Sequence, residues 1–195
     1  MSEIKHNSSG VNPDTGFELH KTVVLVGMMG AGKTAVGRAL AARLGVPFLD
    51  SDAEIESAAN MTIPEIFARD GEPFFRAKES QVIGRLLDEE KGILSTGGGA
   101  FLAAQNRTMI TERGVSVWLR ADLEVLWNRV KHKDTRPLLR TADPYATLRA
   151  LYEDRVPVYA QADLIAESDG HTSIENMVNR VVDALATRPD VLERK

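Results

Sequence analysis

Five short apolar runs recur along the chain, and stretches with helical spacing separate them. Each run is typical of a buried β-strand, and the five span residues 23–27, 46–49, 93–95, 115–119 and 164–166. Helix start signals lie between the runs: Thr62-Ile63-Pro64-Glu65 as a capping box, Asp122 ahead of residues 123–130, and Thr172-Ser173-Ile174-Glu175 ahead of the last helix. This alternation predicts right-handed βαβ units and a parallel sheet with helices on both faces.

Length and patterning together bound the domain organisation. A chain of 195 residues fits one α/β domain of ordinary size. The periodic segments fill residues 21–187, which we expect to form that single domain. Residues 1–20 are polar and lack periodicity, so they predict a mobile leader, and residues 188–195 predict a mobile tail on the same grounds.

Composition then excludes several classes of protein. The chain has no cysteine, which excludes disulfides and thiolate-bound zinc and is compatible with a reducing cytoplasm. A net charge of −4 argues against non-specific nucleic-acid binding. No apolar run approaches the roughly 18–20 residues that span a bilayer. We therefore expect a soluble, cytoplasmic protein with no nucleic-acid or membrane partner. We also expect a monomer, although none of these features bears on the oligomeric state.

The first apolar run leads directly into a candidate phosphate-binding loop, Gly27-Met28-Met29-Gly30-Ala31-Gly32-Lys33-Thr34. The glycines of this loop let successive N–H groups point at an anion, Lys33 can reach the β and γ phosphates, and the Thr34 hydroxyl can ligate Mg²⁺. The helix that follows adds its positive dipole end, and Gly45 supplies a stop. The expected nucleotide contacts are Gly30, Ala31, Gly32, Lys33, Thr34 and Ala35.

Two carboxylates follow the second run. Ligands of a parallel α/β sheet bind beyond the carboxyl ends of its strands, so Asp50 and Asp52 fall at a suitable edge. One of them could bind Mg²⁺, and the other could orient a substrate hydroxyl. The alternative is that Asp52 or Ser51 only caps the next helix. Because the third run ends at Ser95 without a carboxylate, Asp50 is the leading candidate for supporting Mg²⁺.

Glycines and arginines supply the other candidate groups. The triple glycine at 97–99 lets a ligand approach the backbone, although a simple tight turn would use the same residues. Arg76 near a helix start could clamp a planar carboxylate, the alternative being a solvated surface charge. Arg155 is a similar candidate, and its alternative is a surface ion pair with Glu153 or Asp154.

A charged, proline-containing stretch at about 132–143 lacks any clear period. Its length suits a lid that closes over a bound nucleotide and excludes water. Such a lid would bring Arg136 to the phosphates.

Six motifs occur in a fixed order: Gly-Met-Met-Gly-Ala-Gly-Lys-Thr at 27–34, Phe-Leu-Asp-Ser-Asp at 48–52, Phe-Arg-Ala-Lys-Glu at 75–79, Gly-Gly-Gly at 97–99, Arg-Pro-Leu-Leu at 136–139 and Arg-Val-Pro-Val-Tyr at 155–159. Taken together, they closely resemble the shikimate kinase family over about residues 20–186. The resemblance implies a P-loop, nucleoside-monophosphate-kinase-like fold, with a five-stranded parallel sheet of order 2-3-1-4-5. It also implies ATP-dependent phosphorylation of the shikimate 3-hydroxyl, which yields shikimate 3-phosphate and ADP in aromatic amino-acid biosynthesis.

The same resemblance implies a role for each matched residue. Asp52 would hold the reacting hydroxyl and accept its proton, Arg76 and Arg155 would grip the substrate carboxylate, and Gly98 and Gly99 would border the shikimate pocket. On the nucleotide side, Lys33 and Arg136 would neutralise phosphate charge, Arg129 would stack on adenine, and Thr34 and Asp50 would support Mg²⁺. Asp52, Lys33 and Arg136 are then the catalytic residues, with ATP and Mg²⁺ as the required partners of the reaction.

Two other functions fit parts of the pattern. A kinase for another small hydroxy-acid, such as gluconate, would share the phosphate loop and the lid, but would not need Phe-Arg-x-x-Glu together with Arg-Val-Pro-Val-Tyr. A nucleotide-binding regulatory module would need no turnover. The intact candidates for every chemical role argue against that second alternative.

Overall fold

The computed structural model describes residues 16–132 and 140–195. In this part of the chain the strands are β1 (Phe17–Leu19), β2 (Thr22–Val26), β3 (Phe48–Asp50), β4 (Ile93–Ser95), β5 (Gly114–Ala121), β6 (Leu164–Ser168) and β7 (Leu192–Arg194). The helices are α1 (Lys33–Leu44), α2 (Ser51–Ala59), α3 (Ile63–Asp70), α4 (Glu72–Glu89), α5 (Ala104–Arg113), α6 (Leu123–Val130), α7 (Pro144–Tyr159) and α8 (Ile174–Ala186). A 3₁₀ turn, Ala100–Leu102, lies between β4 and α5.

A five-stranded parallel sheet forms the centre of the fold, in the order β3-β4-β2-β5-β6. Numbering only these five strands along the chain gives 2-3-1-4-5, the predicted order. The central strand β2 is buried along its whole length, as a parallel strand covered on both faces must be. Helices α1 and α8 pack together and contact β4 and β6, respectively, whereas α4 packs with α5, which contacts β5.

The register of the sheet decides where the site can form. Ser95 of β4 pairs with Leu25 of β2 on one side and with Asp50 of β3 on the other. These three strands are parallel, so the segments that follow them emerge at the same edge. The phosphate loop, the start of α2 and the triple glycine therefore meet there.

The helix ends follow several of the predicted signals. The Thr62 hydroxyl caps α3 by accepting from the Glu65 N–H at 3.3 Å, and Ser173 caps α8 by accepting from the Asn176 N–H at 3.1 Å. Gly45 ends α1 in the left-handed region, with φ 66°. Asp122 precedes α6 without a side-chain cap bond. None of the helices in the described ranges is long and apolar enough to cross a membrane.

Residues near the two ends of the chain form a second, small sheet. Strands β1 and β7 pair antiparallel, with Glu18 opposite Glu193, and the His20 N–H donates to the Val191 carbonyl at 2.7 Å. Residues 17–20, in the predicted leader, and residues 191–194, in the predicted tail, thus contact each other in this second sheet. Each strand has three residues, too few to give a periodic signal, and its order comes from pairing with a segment distant in sequence and from the burial of Val191 and Leu192.

Candidate active site

The phosphate loop curls between β2 and α1, as its glycines require. Gly30 and Gly32 have φ values of 83° and 91°, a backbone region that residues other than glycine rarely adopt. A Cβ on Gly30 would also lie 2.8 Å from a methyl carbon of Val130. Lys33 folds back across the loop and donates to the carbonyls of Gly27 at 2.6 Å and Met28 at 3.1 Å. The ammonium is thus held at the centre of an anion-binding turn.

A cavity of about 820 Å³ extends from this loop to the triple glycine. It brings together every predicted site residue that the structure describes: Gly30, Ala31, Gly32, Lys33, Thr34, Ala35, Asp50, Asp52, Arg76, Gly98, Gly99, Arg129 and Arg155. Arg136 and most of the predicted lid at 132–143 lie outside the described residues. The functional roles of all these residues stay predictions.

Asp50 and Asp52 have different positions at the start of α2. The Asp50 carboxylate caps the helix by accepting from the Ala53 N–H at 3.1 Å, so the cap is neither Asp52 nor Ser51. Asp52 is left to line the cavity. Burial raises the pKa of Asp52 to about 6, and the nearby charges of Asp50 and Glu79 add to the increase, while Lys33 opposes it. A carboxyl with this pKa is mostly ionised at pH 7 and can still accept a proton.

An ion pair with a buried glutamate fixes the half-buried Arg76 side chain. Its Nη1 lies 3.0 Å from Oε1 of Glu79, one turn further along α4, and the Glu79 side chain is only 1% exposed. Burial raises the pKa of Glu79, and the Arg76 guanidinium partly offsets that increase. The Arg76 guanidinium also lies over the Phe75 ring, with Cζ 5.2 Å from the ring centroid. Arg76 is therefore a positioned cation rather than a freely solvated one.

Each residue of the triple glycine lies against one predicted substrate-binding side chain. A Cβ on Gly97 would lie 2.8 Å from Oδ1 of Asp52, and one on Gly99 would lie 2.5 Å from Nη2 of Arg76. A Cβ on Gly98 would lie 3.0 Å from Nη1 of Arg155. The three glycines make room for the carboxylate and the two guanidinium groups, which a simple tight turn would not require.

Arg155 faces this segment from α7. Its sequence neighbour Glu153 is occupied in another ion pair, with Arg149, at 3.0 Å. One turn after Arg155, the buried Tyr159 hydroxyl donates to the Gly98 carbonyl at 2.8 Å. The geometry therefore favours the cavity over the alternative of a surface ion pair for Arg155.

Arg129 lies at the phosphate-loop end of the cavity. Its Nη1 donates to the Gly30 carbonyl and its Nη2 to the Ser168 hydroxyl, both at 3.0 Å. The side chain thus connects the phosphate loop to the carboxyl end of β6. Ser168 and Thr172 also line this end. Ser168 belongs to no sequence motif, and Thr172 stands out in the sequence only as part of the start signal of α8.

Glu79 and Tyr159 are the main residues that sequence reasoning did not assign to the site. Each is the last residue of one of the six ordered motifs: Glu79 ends Phe-Arg-Ala-Lys-Glu, and Tyr159 ends Arg-Val-Pro-Val-Tyr. The i, i+3 spacing of Arg76 and Glu79 is a signal for an ion pair on one helix face. Nothing local in the sequence indicates that Tyr159 reaches Gly98.

The sheet order, the phosphate loop and the cavity beside it define a P-loop kinase that acts on a small molecule. The family model described as shikimate kinase matches residues 29–186. The chain belongs to the shikimate kinase family.

Relatives and solved structures agree with this assignment. A shikimate kinase from Ruegeria pomeroyi is 75% identical over 99% of both chains. A structure of shikimate kinase from Acinetobacter baumannii in complex with shikimate is similar at 38% identity, with a TM-score of 0.79, over 86% of this chain and 93% of that one. A gluconokinase from Sinorhizobium meliloti shares the fold, with 20% identity and a TM-score of 0.58 over 87% of this chain and 94% of that one.

Proposed function

We propose that this chain transfers the γ-phosphoryl group of ATP to the 3-hydroxyl of shikimate, giving shikimate 3-phosphate and ADP. The observation that carries the proposal is the arrangement of Asp52, Arg76 and Arg155 around the glycines at 97–99, in the same cavity as the phosphate loop. The family membership and the shikimate complex of the Acinetobacter baumannii relative support the substrate.

Arg76 and Arg155 bind the substrate carboxylate in this proposal. Two guanidinium groups on different helices, beside adjacent glycines, suit a planar anion that accepts hydrogen bonds from both. Because Glu79 holds Arg76 in place, little rotamer entropy is lost when the carboxylate binds. The carboxylate anchor then sets which hydroxyl of the ring faces Asp52.

Asp52 orients the hydroxyl and takes its proton. As the hydroxyl oxygen bonds to the γ-phosphorus, the bond from that phosphorus to the bridging oxygen breaks and ADP leaves. The proton of the hydroxyl passes to an Asp52 carboxylate oxygen. A pKa of about 6 keeps that carboxylate ionised before the transfer and gives it enough basicity to hold the proton. Most of the rate must come from positioning and charge stabilisation, which is typical of phosphoryl transfer.

Lys33, Arg129 and the backbone of residues 30–35 bind the nucleotide. Lys33 already donates to two loop carbonyls, so it lies where a β or γ phosphate oxygen would replace them. We assign Arg129 to the adenine and Arg136 to the phosphates. Arg136 lies outside the described residues, and its assignment rests on the motif alone.

Thr34 and Asp50 would hold Mg²⁺. Both line the cavity next to the phosphate loop and offer oxygen donors, which Mg²⁺ prefers, and only one or two protein oxygens are needed when substrate phosphates complete the shell. Bound there, the ion would neutralise charge on the β and γ phosphates. We also propose that the protein acts as a monomer in the cytoplasm, where ATP is available. Light scattering coupled to gel filtration would test the monomer.

Measuring ADP release with ATP and Mg²⁺ tests the proposed function. Shikimate, gluconate and buffer alone are compared at the same concentration of protein. We expect rapid release with shikimate and only background release in the other two reactions. Equal rates with gluconate would overturn the substrate. Background rates in all three would instead favour a nucleotide-binding module without turnover.

A further inference from the structure

Tyr159 is a buried polar residue that the proposed mechanism does not use. It is the last residue of α7 and is 1% exposed. Its ring lies beside the ring of Trp118 from β5, with centroids 6.1 Å apart, so the sheet holds the ring in place. Burial raises the pKa of the Tyr159 phenol, so at neutral pH the hydroxyl stays protonated and can donate.

The Tyr159 hydroxyl donates a hydrogen bond to the one carbonyl of the triple glycine that accepts none from the backbone N–H groups of the local turn. The Gly97 carbonyl accepts from the Ala100 N–H and the Gly99 carbonyl from the Leu102 N–H, both at 3.2 Å. The Gly98 carbonyl between them accepts from Tyr159 at 2.8 Å, across 61 residues of sequence. A side chain from α7 thus supplies the partner that the turn itself does not.

This contact sets the direction of one peptide unit. A trans peptide is planar, so its N–H points opposite to its carbonyl. When the Gly98 carbonyl points toward Tyr159, the Gly99 N–H of the same unit points away from it. Gly98 and Gly99 line the cavity and Tyr159 does not, which places that N–H on the cavity side.

Arg155 lies on the same face of α7, four residues before Tyr159, and its guanidinium lies beside Gly98. The helix therefore bonds to the Gly98 carbonyl through Tyr159 and places the Arg155 guanidinium close beside the same glycine. Moving the glycine segment would change its distance from Arg155 and, through Gly99, from Arg76.

We infer that Tyr159 is a positioning residue for shikimate: it fixes the Gly98–Gly99 peptide so that the Gly99 N–H and the two arginines address the bound substrate together. This inference rests on the proposed function. The phosphate loop lies at the other end of the cavity, so the effect is confined to the substrate.

The test is Tyr159→Phe, which removes the hydroxyl and keeps the ring. We expect the KM for shikimate to rise about 5- to 20-fold, while the KM for ATP stays within about twofold of its wild-type value. A merely structural role would lower the melting temperature and the active fraction without separating the two KM values. Tyr145→Phe is the matched control, because it removes a tyrosine hydroxyl from the same helix, where that hydroxyl donates to Glu124 at 2.6 Å.

A second measurement does not depend on turnover. In ¹⁵N-labelled protein without ligands, Tyr159→Phe should shift the Gly99 amide resonance, and Tyr145→Phe should leave it in place. An unchanged Gly99 resonance would overturn the inference, and so would an unchanged KM for shikimate in a wild type that phosphorylates shikimate. A wild type that does not phosphorylate shikimate would overturn the proposed function, and the inference with it, so the two failures are distinguishable.

Discussion

The two ends of the cavity are built in different ways. The phosphate end is one continuous segment, residues 27–34, in which the Lys33 side chain folds over a glycine-rich backbone turn. The substrate end is assembled from side chains on α2, α4 and α7 that meet at the glycines following β4. One end is therefore encoded locally, whereas the other depends on the packing of the whole domain.

This difference separates the effects expected of mutations. At the phosphate end, a change should alter the chemistry for any acceptor, because the nucleotide is common to every reaction. At the substrate end, Arg76 and Arg155 should affect the binding of shikimate. Asp52 should affect both ends, because it lies against Gly97 and is electrostatically coupled to Lys33. Variants can test that division directly.

Asp52→Asn should have the largest effect. The amide keeps the size of the side chain but cannot take the proton, so we expect kcat to fall by about 10²- to 10⁴-fold. Asp88→Asn is a matched control, since Asp88 is exposed and pairs with Arg113 on the surface, at 3.3 Å. Steady-state ADP release measures both variants. Near-normal turnover in a folded Asp52→Asn protein would contradict the role as base.

The pH dependence follows from the raised pKa of Asp52. Wild-type kcat/KM should fall as the pH drops through about 6, because the free enzyme then carries a protonated Asp52. The free energy of unfolding should change in the opposite direction with pH. A carboxyl whose pKa is raised in the folded state stabilises the fold when it is protonated, and this contribution is lost as the pH rises through about 6. Asp52→Asn should therefore melt a few degrees higher than the wild type at pH 8, with the difference vanishing below pH 4.

Lys33→Met comes next and tests the phosphate end. Loss of a point charge on the phosphates should lower kcat by about 10²- to 10³-fold with shikimate. Circular dichroism should show an unchanged fold, because Lys33 is the first residue of α1 and does not belong to the core. Lys21→Met, which removes a surface ammonium paired with Asp190 at 3.4 Å, should leave turnover unchanged. Full activity in folded Lys33→Met would remove the phosphate loop from the mechanism.

Arg76→Ala tests the substrate end. Deleting one charge-assisted contact should raise the KM for shikimate by about 10- to 100-fold and change the KM for ATP little. The same change removes the Arg76 partner of the buried Glu79 carboxylate, so the free energy of unfolding should decrease. The double variant Arg76→Ala/Glu79→Gln should regain stability and keep the high KM. If the second change restored the KM instead, Arg76 would serve the fold and not the substrate.

The sequence predicted the two ends unequally. The phosphate loop could be read directly, since its strand, glycines, Lys33 and following helix are adjacent in the chain. The five strands of the main sheet were located to within a few residues, although β3 begins at Phe48 and extends to Asp50, while the apolar run covers 46–49. Asp50 and Asp52 were placed at the right edge by the rule for parallel sheets.

Contacts between distant segments could not be read in this way. The bond from Tyr159 to Gly98 spans 61 residues, and the pairing of β1 with β7 brings the two ends of the domain together. Neither contact produces a periodic pattern of hydrophobic residues in the sequence. The arrangement of Arg76 and Arg155 was reached only through the resemblance of ordered motifs, because an isolated arginine on a helix is usually solvated.

The smallest effects should come from the glycines themselves, and they separate the components of the substrate end. Gly99→Ala places a methyl group against the Arg76 guanidinium, whereas Gly97→Ala places one against the Asp52 carboxylate. Neither glycine is among those with positive φ, so alanine can adopt the backbone and the fold should be retained. We expect Gly99→Ala to raise the KM for shikimate about 3- to 10-fold at nearly normal kcat, and Gly97→Ala to lower kcat by a similar factor.

Gly84→Ala, in the middle of α4, is the control for adding a methyl group elsewhere, because the new Cβ would lie 3.4 Å from a methionine sulfur. If Gly97→Ala and Gly99→Ala change kcat and KM in the same proportion, the carboxylate and the arginine act as one unit, and the separation of hydroxyl from carboxylate recognition would be wrong.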